Sequence, residues 1–160
     1  MTKYKHILFF NQIGIESLSE VGGKNASLGE MYNQLNPIGI SIPNGFAVTA
    51  EAYRLFRKEN NLEQTLQELL LPLDTKEYSN LSTIGEKARN LILAAAIPDE
   101  ICEEIKIAYQ SLGEQCGINN LNVAVRSSAT SEDLPTASFA GQMQSFLNIN
   151  GADQLLDAVH

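Results

Sequence analysis

At 160 residues, with 44% apolar and 19% charged positions, the chain has the composition of an ordinary globular domain and enough length to bury a core without disulfides or a structural metal. Its formal net charge of −8 argues against a broad nucleic-acid or anionic-membrane surface, so any anion must be met by a few local cations. The two cysteines, Cys102 and Cys116, have neither a CxxC spacing nor a nearby histidine pair; they are expected to pack as small helix residues in a reducing, cytoplasmic setting.

The opening MTKYKHILFF has too short an apolar run for a signal peptide, and no stretch approaches the ~18 apolar residues of a spanning helix. Ile7 to Phe10 reads as a short buried strand ending in the turn Asn11-Gln12, followed by a loop or short turn at GIESLSE. From Lys24, the apolar residues Leu28, Met31, Tyr32 and Leu35 recur on one helical face, which puts Gly22-Gly23 at that helix's N-terminus. Pro37, Gly39, Pro43 and Gly45 then bracket turns before a strand at Phe46 to Val48. Thr49 is placed to cap a helix through Phe56, with Glu51 favourable in its first turn.

Leu62, Leu66, Leu69 and Leu70 mark a second amphipathic helix that Pro72 closes, and Asp74 to Asn80 reads as a mobile loop. Thr83 with Glu86 forms a capping-box pattern for a third helix carrying Ile84, Ala88, Leu91 and Ile92. Pro98, followed by Asp99 and Glu100, starts the clearest helix, whose stripe Ile101, Ile105, Ala108, Tyr109 and Leu112 runs to a stop at Gly113. Val123 to Val125 and Ser145 to Ile149 read as an outgoing and a returning strand. GADQLLDAVH begins as a helix and stops without a terminator, the expected appearance of a chain truncated at its C-terminus. The pattern is α+β, helix-rich with few short strands.

Three stretches carry chemistry. Val21-Gly22-Gly23-Lys24-Asn25 fails as a Walker A loop, since Leu18 stands where a glycine is needed and Asn25 where Ser or Thr is needed. It still offers close backbone approach and a lysine at a helix N-terminus, both suited to phosphate. Arg126 follows directly on an apolar strand, where its rigid fork can meet phosphate oxygens or serve a structural ion pair. Ser127, Ser128, Thr130 and Ser131 offer hydroxyls that can bind a ligand or cap turns, with Glu132 and Asp133 placed to orient the loop or pair with Arg126. Ser138-Phe139-Ala140-Gly141-Gln142 reads as a flap over a polyphosphate or as a bare hairpin turn. His6 and His160 are not placed among convergent catalytic partners, and no nucleophile–base constellation is visible.

Taken together, VGGKNASLGEM at 21–31, IPNGFAVTAEAY at 42–53 and AVRSSATSEDLPTASFAGQ at 124–142 resemble, in order and spacing, the N-terminal nucleotide-binding domain of the phosphoenolpyruvate synthase family. Its relatives include the pyruvate phosphate dikinases and rifampicin phosphotransferases. The resemblance implies that residues 1–160 form the N-terminal portion of an ATP-grasp-like domain. It implies that Lys24 and Arg126 contact ATP phosphates, that Ser138, Phe139, Ala140, Gly141 and Gln142 form the loop above them, and that Ser145 offers a further hydroxyl. Ser145 stands where the family usually has threonine, and Met143 replaces a commoner glutamine. The implied reaction converts ATP, pyruvate and water to phosphoenolpyruvate, AMP and phosphate through a phosphohistidine. That histidine, the pyruvate-binding domain and the Mg²⁺ ligands are all expected beyond His160, so no catalytic residue and no metal ligand is expected within this chain, which by itself should be inactive. The partners implied are ATP and the downstream domains of the same polypeptide, with no nucleic acid and no membrane. The competing readings are an antibiotic phosphotransferase and a non-catalytic nucleotide-binding or interaction module.

Overall fold

The computed structural model describes residues 4–130 and 143–160 in full, together with the backbone of 133–134 and 137–138. Among the described residues, six α-helices accompany three two-stranded antiparallel sheets, the helix-rich α+β arrangement that the periodicities predict. The chain divides into two compact units, one of Met1–Ala52 with Glu100–His160 and one of Tyr53–Asp99.

In the first unit, β1 (Ile7–Phe9) pairs with β2 (Phe46–Val48), in the register Ile7↔Val48 and Phe9↔Phe46. The continuous apolar run of β1 is explained by packing on both faces. Ile7 and Phe9 are buried on one side, with Phe9 meeting the Phe46 ring at 5.8 Å between centroids. On the other, Leu8 packs against the core of Ile13, Val21, Ala26 and Ala47.

Helix α1 (Leu18–Leu35) begins earlier than its sequence pattern suggests, but Gly22 interrupts it with φ 79° and ψ 164°. The glycine pair therefore does sit where a helix restarts, after a short helical segment within the stretch that sequence reading assigned to a loop or short turn. The face buried is also different from the expected stripe. Ala26 and Gly29 are buried, whereas Met31 is exposed and Leu28, Tyr32 and Leu35 are half-buried. Small residues win because they let the helix backbone close onto the chain at Ile13: a Cβ at Gly29 would stand 2.5 Å from the Ile13 carbonyl oxygen.

Helix α2 (Ala50–Glu59) runs beyond Phe56, with Glu51 in its first turn. Thr49 does not cap it; its Oγ1 is buried without a hydrogen-bond partner, while its N–H donates to the His6 carbonyl at 3.0 Å and prolongs the β1–β2 pairing. In the second unit, α3 (Leu62–Leu70) closes before Pro72 and packs against α4 (Leu81–Leu93), burying Leu62 and Ile84. Because α4 starts at Leu81, the Thr83–Glu86 capping box lies inside the helix and caps nothing. Asn80 precedes it, its amide donating to the Pro72 carbonyl and its Oδ1 accepting the Asp74 N–H.

Back in the first unit, α5 (Asp99–Cys116) buries the predicted stripe Ile101, Ile105, Ala108, Tyr109 and Leu112. It passes through Gly113, which is present for close approach: a Cβ there would meet the Ile118 carbonyl at 2.7 Å. The left-handed Gly117, φ 66°, follows the helix end instead. Cys102 is half-buried, but Cys116 is exposed and does not pack as expected. The Tyr109 hydroxyl donates to the Leu121 carbonyl at 2.6 Å and accepts the Gly151 N–H at 2.9 Å, joining α5 to the chain before β3 (Val123–Arg126) and to the start of α6 (Ala152–Val159). No described helix is long and apolar enough to cross a membrane.

Candidate nucleotide site

Strand β3 delivers Arg126 to its end, opposite Ser145, the first residue of the antiparallel β6 (Ser145–Ile149). A register irregularity between Val123 and Val125 separates this rung from the Val123↔Ile149 pair. Arg126 and Ser145 thus occupy facing positions on one sheet end, and both are exposed.

Beyond Arg126 the chain crosses to the break in α1. The Ser128 hydroxyl accepts the backbone N–H of Asn25 at 3.1 Å, a contact between residues 103 positions apart. Asn25 in turn donates its side-chain amide to the Val21 carbonyl at 3.0 Å, spanning the break at Gly22. Only glycine fits there, since the backbone is left-handed and a Cβ would stand 2.3 Å from the Ser128 carbonyl oxygen and 2.6 Å from its hydroxyl. The first N–H groups of a helix have no acceptor within it, and Ser128 satisfies one of them as an N-cap side chain does, from a distant part of the chain.

This contact carries the neighbours of both partners with it. Lys24 directly precedes Asn25 and Arg126 lies two positions before Ser128; both side chains are exposed. The hydrogen bond brings the segment that carries Lys24 and the segment that carries Arg126 together at the start of a helix, in a chain whose net charge is −8. Cationic side chains and the free N–H groups at a helix start are the donors that polyanion binding requires.

Ser138 lies in β5 (Ala137–Ser138), opposite Asp133 of β4 (Asp133–Leu134). Phe139, Ala140, Gly141 and Gln142 lie outside the described residues, as do the expected side-chain roles of Glu132 and Asp133. Sequence reading offered Ser128 as one of four loop hydroxyls and could not single it out. The signal available was the neighbouring glycine pair, which announces close backbone approach without naming the visitor.

A magnesium site finds no match in the described residues. The one group of three potential ligands with atoms within 4.8 Å of one another is His6, Glu100 and Glu104, and its imidazole nitrogen suits the all-oxygen preference of Mg²⁺ poorly.

Residues 18–160 match the family model for the pyruvate phosphate dikinase AMP/ATP-binding domain. The chain is 44% identical over 155 residues to a phosphoenolpyruvate synthase of Neisseria meningitidis, 45% over 158 residues to one of Synechocystis and 43% over 153 residues to one of Escherichia coli. These alignments cover 97%, 96% and 96% of this chain but 20%, 19% and 19% of the relatives, so the chain spans about a fifth of their length.

Proposed function

The chain belongs to the pyruvate phosphate dikinase AMP/ATP-binding domain family, and we propose that it forms the front part of the ATP site of a phosphoenolpyruvate synthase. In this reading Arg126 grips two phosphate oxygens with its planar fork, and Lys24 adds a mobile point charge beside the N–H groups of the restarted helix. Ser145, facing Arg126 across the β3–β6 rung, offers a hydroxyl to the same phosphates, and Ser138 to Gln142 cover them. The observation that carries the reading is the Ser128–Asn25 hydrogen bond across the Gly22 break, because it joins the two cationic segments at one place.

Phosphoryl transfer depends on positioning and on neutralising the charge of the transferred group, and this chain supplies the cationic side of that task. The complete protein, an ATP-grasp-like enzyme of the cytoplasm, forms phosphoenolpyruvate, AMP and phosphate from ATP, pyruvate and water through a phosphohistidine on another domain. The ligands of a Mg²⁺ ion that would screen the phosphates are assigned to residues outside this chain. In the complete protein, Lys24→Ala and Arg126→Ala should each lower turnover by about 10²- to 10³-fold, measured as pyruvate-dependent AMP release. Unchanged kinetics in both variants would overturn the proposed site. Residues 1–160 alone should bind ATP weakly and release no AMP; robust turnover by them would overturn the assignment of the remaining chemistry to other domains.

A further inference from the structure

His6 immediately precedes β1, and its side chain is 1% exposed. Neither ring nitrogen has a hydrogen-bond partner, an uncompensated cost for a buried polar group. Its Nε2 faces the first turns of α5, where Glu100 and Glu104 stand one helical turn apart on the same face. The nitrogen lies 3.6 Å from Oε1 of Glu100, and one ligand atom from each of His6, Glu100 and Glu104 falls within 4.8 Å of the others.

We propose that His6, Glu100 and Glu104 form a binding site for a divalent transition ion of the zinc class, tying the strand β1 to the start of α5. The 3.6 Å separation is long for a hydrogen bond, yet two ligands on a tetrahedral zinc stand roughly 3.3–3.6 Å apart when each bond is about 2.0–2.2 Å. One imidazole and two carboxylates suit zinc or cobalt, leaving a fourth position for water.

Glu104 is held ready by the backbone. It accepts the Lys5 N–H at 3.1 Å on each carboxylate oxygen and the His6 N–H at 2.8 Å on Oε2, hydrogen bonds of the kind that orient a ligating carboxylate. Glu100 is 53% exposed and provides the route of entry, and the ion would displace the Lys5 ammonium, 64% exposed and 3.4 Å from Glu100 Oε1. This exchanges one cation for another at the same oxygen. The site shares no residue with Lys24, Arg126 or Ser145 and does not rest on the nucleotide reading.

The test is titration of the 160-residue chain with Co²⁺, then with Zn²⁺, in the absence of nucleotide. One equivalent of Co²⁺ should give the intense visible absorption of a four- or five-coordinate ion, and Zn²⁺ should displace it and raise the melting temperature, reversibly with a chelator. Glu100→Gln, an exposed change that leaves the fold intact, and His6→Leu, which suits the buried position, should each weaken binding at least about tenfold. Absence of the cobalt spectrum in the wild-type chain would overturn the proposal. Binding that is unaltered in Glu100→Gln and in folded His6→Leu would do so as well.

Discussion

In the Tyr53–Asp99 unit, the turn between α3 and α4 is held by hydrogen bonds reaching at most eight positions along the chain. The Asp74 carboxylate accepts the N–H groups of Lys76 and Glu77 at 3.0 Å and the Ser79 hydroxyl at 2.7 Å, while the Asn80 amide reaches the Pro72 carbonyl. At the Val21–Asn25 turn the deciding hydrogen bond joins residues 103 positions apart, and a left-handed glycine makes room for it. The first turn satisfies itself and can form as soon as its own residues meet. The second exists only when the unit has folded, and it joins the segment that carries Lys24 to the segment that carries Arg126.

Breaking the long-range turn should therefore cost most. Gly22→Ala puts a Cβ on a residue with φ 79° and drives it into the Ser128 backbone, so we expect a loss of more than about 2 kcal/mol in chemical denaturation. On the proposed site, the same change in the complete protein should raise KM for ATP, because it disturbs the junction between the segments that carry Lys24 and Arg126. A variant as stable as wild type would show that the turn is not under the constraint described.

Ser128→Ala should have a smaller effect, about 1 kcal/mol, since it removes one hydroxyl acceptor from a partly buried N–H and leaves the backbone path intact. Ser128→Thr retains the hydroxyl and should recover most of the loss. If alanine and threonine behave alike, the hydrogen bond contributes nothing measurable.

The smallest effect belongs to the local turn. The Asp74 carboxyl is lowered to about 2 from an ordinary value of 3.8, mainly by the Glu77 N–H, then by the Ser79 hydroxyl and the Lys76 N–H. A folded-state value below the unfolded one means that the stabilisation is complete above about 3.8 and is lost as the pH falls toward 2. Amide exchange at Lys76 and Glu77 should be slower in wild type than in Asp74→Ala near neutral pH, with the difference disappearing by about pH 2. A difference that persists below that value would mean that the carboxylate charge is not its source.

Helix α5 shows how far periodicity reaches: its stripe is buried as predicted because adjacent turns of one helix share a face whatever lies opposite. Its end was misplaced because Gly113 serves a contact with Ile118 and not a helix stop. In α1 the apolar spacing pointed to Met31 and its neighbours, while the tightest packing is made by Ala26 and Gly29. Thr49 and Thr83 have the residue types of caps, but Thr49, directly before α2, leaves its hydroxyl without a partner, and Thr83 lies inside a helix that begins at Leu81.

The sequence by itself determined the helix-rich class, the extents of β2 and β6, the buried stripe of α5 and the candidacy of Lys24 and Arg126. These rest on local backbone preference, side-chain periodicity and residue chemistry. Only the tertiary structure decided that Ser128 meets Asn25, that Gly22 is the residue admitting it, and that His6 faces Glu100 and Glu104. The reason is physical: a contact across a hundred residues is specified by the packing of every element between its ends, and neither partner carries a local mark of the other.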